Sequence, residues 1–193
     1  MAEKEIEIHY PTSCTDWRKW LEKNHQSEPC VWVVFYSKRS GKKTISWSEA
    51  VDVALCFGWI DSKKVKIDET CSHQYFSKRK PKSTWSKINK EKVQVLIKNG
   101  EMTPAGFKSI ETAKQNGSWT LLDEVEELII PDDLEDAFAG RKGAKDYFLS
   151  LSKSSKKSLL HWIVLAKRPE TRQKRIDEIS ELAEKGMKPK QFR

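Results

Sequence analysis

The spacing of apolar residues changes along the chain, and the changes mark the elements. Residues 1–13 read as an extended entry in which Ile6 and Ile8 alternate with glutamates. Trp17, Trp20 and Leu21 recur at i, i+3 and i+4, which predicts a short helix from Asp16 to about Asn24, capped by Thr15. Cys30–Tyr36 is β-branched and aromatic almost throughout, the pattern of a central strand with little solvent on either face. After a turn at Ser40-Gly41-Lys42, Ser46-Trp47-Ser48-Glu49 forms a capping box. It opens a helix that runs to Phe57 and stops at Gly58, with Trp47, Ala50, Val51, Ala54 and Leu55 as its buried stripe. Trp59 to Ile67 then predicts a strand, and Gln74 to Lys78 its partner, across a long loop from Asp68 to His73.

A helix follows from Trp85 to Lys98, capped by Ser83 or Thr84, with Ile88, Val95 and Leu96 as core positions. Thr103-Pro104 starts the next, which turns Phe107 and Ile110 inward and stops at Asn116-Gly117. Residues 121–130 are acidic and irregular and read as a linker. From Pro131 the pattern is helical, over about 132–139, 142–151, 154–167 and 169–185, with short connections. The expected fold class is α+β. A small, mainly antiparallel sheet covered by helices occupies a core domain at 1–120, and a helical unit occupies 131–193.

Composition adds constraints. The chain has 193 residues with eight tryptophans, 37% apolar residues and a net charge of +8. The charge comes in blocks. Residues 62–98 carry eleven Lys/Arg against three acids, 99–140 ten acids against two bases, and 141–193 fifteen bases against six acids. Either the blocks face each other within the fold, or they leave a basic surface for an anionic partner. The start Met1-Ala2-Glu3-Lys4-Glu5 lacks an apolar export segment, and no apolar run reaches the roughly 20 residues that span a bilayer. Cys14, Cys30, Cys56 and Cys71 form no C-x-x-C pair, and His9, His25, His73 and His161 show no metal-ligand spacing. A cytoplasmic protein with reduced thiols, no cofactor and no membrane insertion is expected.

Four strings carry a family resemblance. They are Cys56-Phe57-Gly58-Trp59-Ile60-Asp61-Ser62, Arg79-Lys80-Pro81-Lys82-Ser83-Thr84-Trp85-Ser86 with Asn89, Gly100-Glu101-Met102-Thr103-Pro104-Ala105-Gly106, and Ala166 through Ile176. Together they resemble the YdeI/OmpD-associated family of bacterial proteins over nearly all of the chain after about residue 15, the last string resembling that family's helical tail. The resemblance implies a stress or antimicrobial-peptide protection role, linked by name to bacteriocin protection and to an outer-membrane porin. It supplies no reaction and no catalytic residues. The porin association is set aside here because the N-terminus shows no export signal.

The candidate chemistry gathers between Trp59 and Asn89. Lys78, Arg79, Lys80 and Lys82 stand just before a helix start, whose own dipole is positive, so something negative should answer them. Asp61, the acidic block or a bound anion would serve. Ser83 and Ser86 add hydroxyls and Trp85 a flat face, which suits a phosphate, a carboxylate or a nucleotide. The expected ligand site is therefore Trp59, Asp61, Arg79, Lys80, Lys82, Ser83, Trp85, Ser86 and Asn89, holding an anionic small molecule. The alternative is an Asp61–Arg79 ion pair in a solvated basic turn. Two further functions stay open. One is nucleic-acid binding through the two basic blocks, with Lys167, Arg168, Arg172 and Arg175 on one helix face. The other is an enzyme of unknown reaction using Asp61 with His73 or Ser86.

Overall fold

The computed structural model describes residues 5–193, and the charged start at Met1–Lys4 lies outside them. The chain divides into two compact units, one ending at Trp119 and the other spanning Thr120–Arg193.

In the first unit Cys30–Tyr36 forms β2, with β1 at Ile8–His9, β3 at Trp59–Lys66 and β4 at Cys71–Lys78. The strand order is β1-β2-β4-β3, so β2 is interior, as its apolar run predicts. All pairings are antiparallel except β1 with β2, where Ile8 faces Trp32 in parallel register. The β4 strand starts three residues earlier than its apolar pattern suggested. Asp68 takes the amides of Thr70 and Cys71, which makes a tight turn of the expected long loop.

Strand alternation sorts the sheet into two faces. Val31, Val33, Phe76 and Trp59 turn toward the helices α1 (Cys14–Asn24) and α2 (Trp47–Cys56) and form one core with Trp17, Leu21, Ala50, Ala54 and Leu55. Ser13, not Thr15, caps α1, accepting from the Asp16 amide at 3.1 Å. The capping box of α2 forms as read, with Ser46 bonded to the Glu49 amide and Glu49 to the Ser46 amide. Two further helices complete the unit, α3 at Lys87–Lys98 and α4 at Pro104–Gln115.

Two helix faces differ from the sequence reading. In α3 the buried residues are Val93 and Leu96, while Ile88 is 63% exposed and Val95 56%. In α4 Ile110 and Ala113 are buried and Phe107 is exposed. In α4 the reason is a close approach. The Cys56 carbonyl at the end of α2 accepts from both the amide and the hydroxyl of Thr103, at 3.1 and 2.6 Å. A Cβ on Gly106 would meet that same carbonyl oxygen at 2.4 Å, so Gly106 faces α2 and Phe107 is rotated outward.

In the second unit, residues 121–130 hold a short helix, α5 (Asp123–Glu126), and Leu122 and Val125 are buried. Four helices follow: α6 Asp132–Ala139, α7 Ala144–Ser150, α8 Lys153–Val164 and α9 Pro169–Glu184. They share a core of Leu134, Phe138, Phe148, Leu159, Leu160, Ile163, Ile176 and Ile179. The acidic and basic blocks meet here. Glu126 pairs with Lys157, Asp133 with Arg172 and Glu135 with Lys145.

Among the described residues, no helix is long and apolar enough to cross a membrane. The four cysteines are unbonded, and Cys56 and Cys71 are buried. The α2–α4 contact makes a direct test. Gly106→Ala forces a Cβ onto a carbonyl and should cost at least about 2 kcal/mol by overpacking. Gly140→Ala, where a Cβ meets open space, should stay within about 0.5 kcal/mol. Urea midpoints of the two variants check this.

Candidate functional site

The turn from α2 into β3 sets the geometry. Gly58 sits at φ +69°, and a Cβ there would stand 3.0 Å from the Ala105 carbonyl and from the Ser109 side chain. Its carbonyl accepts from the Arg79 amide at 2.9 Å, which fixes the end of β4 beside the start of β3. Asp61 then lies opposite Phe76, but Lys64, not Lys63, lies opposite Gln74. One extra residue in β3 makes this bulge, and it lets Asp61 and Lys64 both face the helix side.

Asp61 is held there by neutral donors. Its Oδ2 accepts from the Trp47 indole N–H at 2.9 Å and from the Gln74 amide at 3.0 Å. The Gln74 amide also donates to the Ser62 carbonyl at 2.9 Å, so the buried Gln74 ties the bulge to β4. Trp47 was expected in the buried stripe of α2. Instead it is 53% exposed, with its N–H on Asp61 and its ring toward solvent. Around this pair a groove of about 1030 Å³ opens, lined by Phe35 and Ile45 as apolar wall and by Lys64, Asp61 and Gln74 from the strands. Glu49 lines it too, and its carboxylate is held below the usual range by the Ser46 side chain and amide.

Arg79 is not part of that arrangement. The expected Asp61–Arg79 ion pair does not form. The Arg79 guanidinium carbon lies 3.7 Å from the centre of the Trp85 ring, and Nη1 donates to the Thr84 carbonyl at 2.8 Å. Its Nε and Nη2 are covered and find no hydrogen-bond partner among the described residues. Burial pushes its pKa down to about 10, and the charge of Asp61 works against that fall. The indole face answers the cation in place of a carboxylate.

The other expected site residues divide the same way. Trp59 and Trp85 are each only 1% exposed, and Trp59 donates to the His25 carbonyl. Lys80 and Lys82 are exposed, and Ser83 is half-buried. Ser86 caps α3, accepting from the Asn89 amide, a role the sequence reading gave to Ser83 or Thr84. His73 cannot serve Asp61 as a general base. It lies opposite Val34 in the sheet, on the face turned away from Gln74 and Asp61. The sequence missed Trp47 and Gln74. An exposed tryptophan in the first turn of a well-capped helix was the available signal for Trp47.

The basic face of α9 is also largely committed. Arg172 makes a bidentate pair with Asp133 at 2.6 and 2.9 Å, which holds that carboxyl below its usual range. Arg175 donates to the Trp162 carbonyl and stands over its ring, 5.1 Å from the centre. Lys167 and Arg168 remain exposed. Among the described residues, no group of three or more His, Cys, Asp and Glu is placed to hold a metal ion.

The fold is thus an α+β protein with a helical C-terminal unit. Residues 9–109 match the family model described as Domain of unknown function (DUF8412). Residues 127–186 match the one described as Bacteriocin-protection, YdeI or OmpD-Associated. The first match spans more than half of the chain, so the chain belongs to that family, and its helical unit carries the YdeI/OmpD-associated relationship. The tail string Ala166 through Ile176 falls inside the second match, whereas the other three strings fall inside the first. No curated protein and no solved structure matches the chain.

Because Asp61 and Arg79 have separate partners, their substitutions should be nearly additive. A double-mutant cycle of Asp61→Asn and Arg79→Met, read by urea unfolding, should give a coupling below about 1 kcal/mol. A structural ion pair of the kind the sequence allowed would give a coupling near the roughly 3–5 kcal/mol cost of breaking a buried pair.

Proposed function

We propose that the chain is a binding protein of the peptide-protection type, and that its groove receives a cationic group of an amphipathic peptide. One observation carries the reading: a carboxylate, Asp61, accepts from the N–H of an exposed indole, Trp47, in an open groove walled in part by Phe35 and Ile45. Asp61 has no cation of its own within ion-pair distance among the described residues, and neutral donors hold it in place. An incoming ammonium or guanidinium gains the carboxylate and the face of the ring together, the second worth about 0.5–2 kcal/mol. The Phe35 and Ile45 wall then takes the apolar part of the ligand. The bacteriocin-protection description of the C-terminal match agrees with a peptide ligand.

A second reading keeps the anionic small molecule at the Lys78–Ser86 turn. It rests on the exposed Lys80 and Lys82 beside the start of α3, with no acidic residue between 70 and 90. The unpartnered nitrogens of Arg79 are covered, so an anion reaches them only if the turn opens.

A fluorescein-labelled, lysine-rich amphipathic peptide titrated with the full chain separates the two. The groove reading expects binding that weakens with salt and falls at least about 10-fold, or about 1.4 kcal/mol, in Asp61→Asn and in Trp47→Ala. Equal affinity in wild type and Asp61→Asn would contradict it. The anion reading instead expects phosphate or sulfate to raise the melting temperature of wild type but not of Lys80→Gln/Lys82→Gln.

A further inference from the structure

The second face of the sheet lies outside the core of the first unit. It carries Ile8 from β1, Trp32, Val34 and Tyr36 from β2, and Cys71, His73 and Tyr75 from β4, with Val65 of β3 opposite His73. Trp32, Tyr36, His73 and Tyr75 are partly exposed, and Ile8 is 58% exposed. Trp32 meets Tyr75 edge-on at 5.1 Å and His73 at 6.4 Å. The bulge that turns Asp61 and Lys64 to the groove side sends Lys63 the other way. Its ammonium stands 5.2 Å from the Trp32 ring centre and 5.3 Å from that of Tyr75. At the far end Lys42 stands 4.2 Å from the Tyr36 ring centre, in a loop with Lys38, Arg39 and Lys43. None of these face positions is acidic.

We propose that this sheet face is a stacking platform for single-stranded nucleic acid. Partly exposed rings offer flat surfaces for bases, and each end of the platform has a lysine on a flexible stem beside its ring, within reach of a phosphate. Tyr36 and Trp32 are four residues apart on one strand, about 13 Å at the usual rise, so separate bases can use the two ends. The charge pattern selects this occupant. A second copy of the chain would bring its own lysines onto lysines, and Asp68, at the Lys42 end, already feels that lysine's charge. A duplex keeps its bases stacked internally and cannot use the rings. A strand with free bases and a phosphate backbone meets both features. This platform uses none of Lys167, Arg168, Arg172 and Arg175. Its Tyr36 and Cys71 also line the Asp61 groove, whereas Trp32, Lys63 and Tyr75 do not.

The test is fluorescence anisotropy of the full chain with labelled single-stranded oligo-dT and oligo-rU, a duplex of equal charge, and anionic vesicles. Binding of the single strands is expected, with affinity falling as salt rises. Lys63→Gln with Lys42→Gln should lower the logarithmic salt slope by about 1–1.5, since each phosphate contact on a single strand contributes about 0.7. Trp32→Ala should weaken binding at least 10-fold at every salt without changing the slope, and Trp32→Phe should restore most of it. Circular dichroism confirms that each variant is folded, and should Trp32→Ala fail to fold, Tyr75→Leu reads the same loss. The proposal is overturned if single strands do not bind at low salt. It is also overturned if duplex or vesicles bind as tightly, if the lysine and ring variants bind as wild type does, or if the chain dimerises and the oligonucleotide does not compete.

Discussion

The first unit turns on one carboxylate that has to be answered without a cation. Asp61 lies on the helix-facing side of a strand, next to Phe76 across the ladder. A partly buried carboxylate on that face calls for hydrogen-bond donors. Two reach it, the Trp47 indole and the Gln74 amide, both on Oδ2. Each donor reports on a different element. Trp47 belongs to the first turn of α2, whose position follows from the Ser46–Glu49 capping box. Gln74 belongs to β4 and also closes the bulge through the Ser62 carbonyl. One acceptor atom thus joins the start of a helix, an interior strand and the irregular point of an edge strand. Withdrawing either donor leaves the carboxylate with one hydrogen bond fewer.

The cations are handled by a different device. Arg79 lies against Trp85 and Arg175 stands over Trp162, each also donating to a carbonyl nearby. A guanidinium is weakly hydrated and planar, so an indole face and one carbonyl can hold it where a lysine would fare worse. Arginines that look like ligand contacts in the sequence thereby become structural. The acidic and basic blocks explain themselves similarly in the helical unit, where Asp133, Glu126 and Glu135 each find a partner. What remains for solvent or ligand is lysine-rich: Lys80 and Lys82, the 38–43 loop, and the β3 edge, where lysines also discourage edge-to-edge pairing.

Much of this was legible. The interior strand at Cys30–Tyr36, the capping box of α2, the Gly58 stop and the tail helices all follow from local patterns, because a cap, a breaker or a periodic stripe needs no knowledge of what lies across the fold. The face of α3 was not legible. Ile88, Val93, Val95, Leu96 and Ile97 put apolar residues all round the helix, and only the tertiary packing selects Val93 and Leu96. The two-residue β1 carries too little pattern to declare a parallel pairing. The Trp47–Asp61 bond is a tertiary contact, and the shift of register between Asp61 and Lys64 depends on the partner strand. For the same reason Asp61 and Arg79, expected as an ion pair, took different hydrogen-bond partners, while Asp61 and Trp47 came together.

The most direct measurement is the indole region of a proton–nitrogen correlation spectrum of the chain labelled at tryptophan, with Trp47 assigned by its loss in Trp47→Phe. Adding the lysine-rich amphipathic peptide should move the Trp47 N–H resonance first and furthest, since that proton is bonded to the carboxylate the peptide approaches. The shift should vanish in Asp61→Asn. A Trp47 resonance that stays fixed at saturating peptide, or that moves equally in Asp61→Asn, would contradict the account.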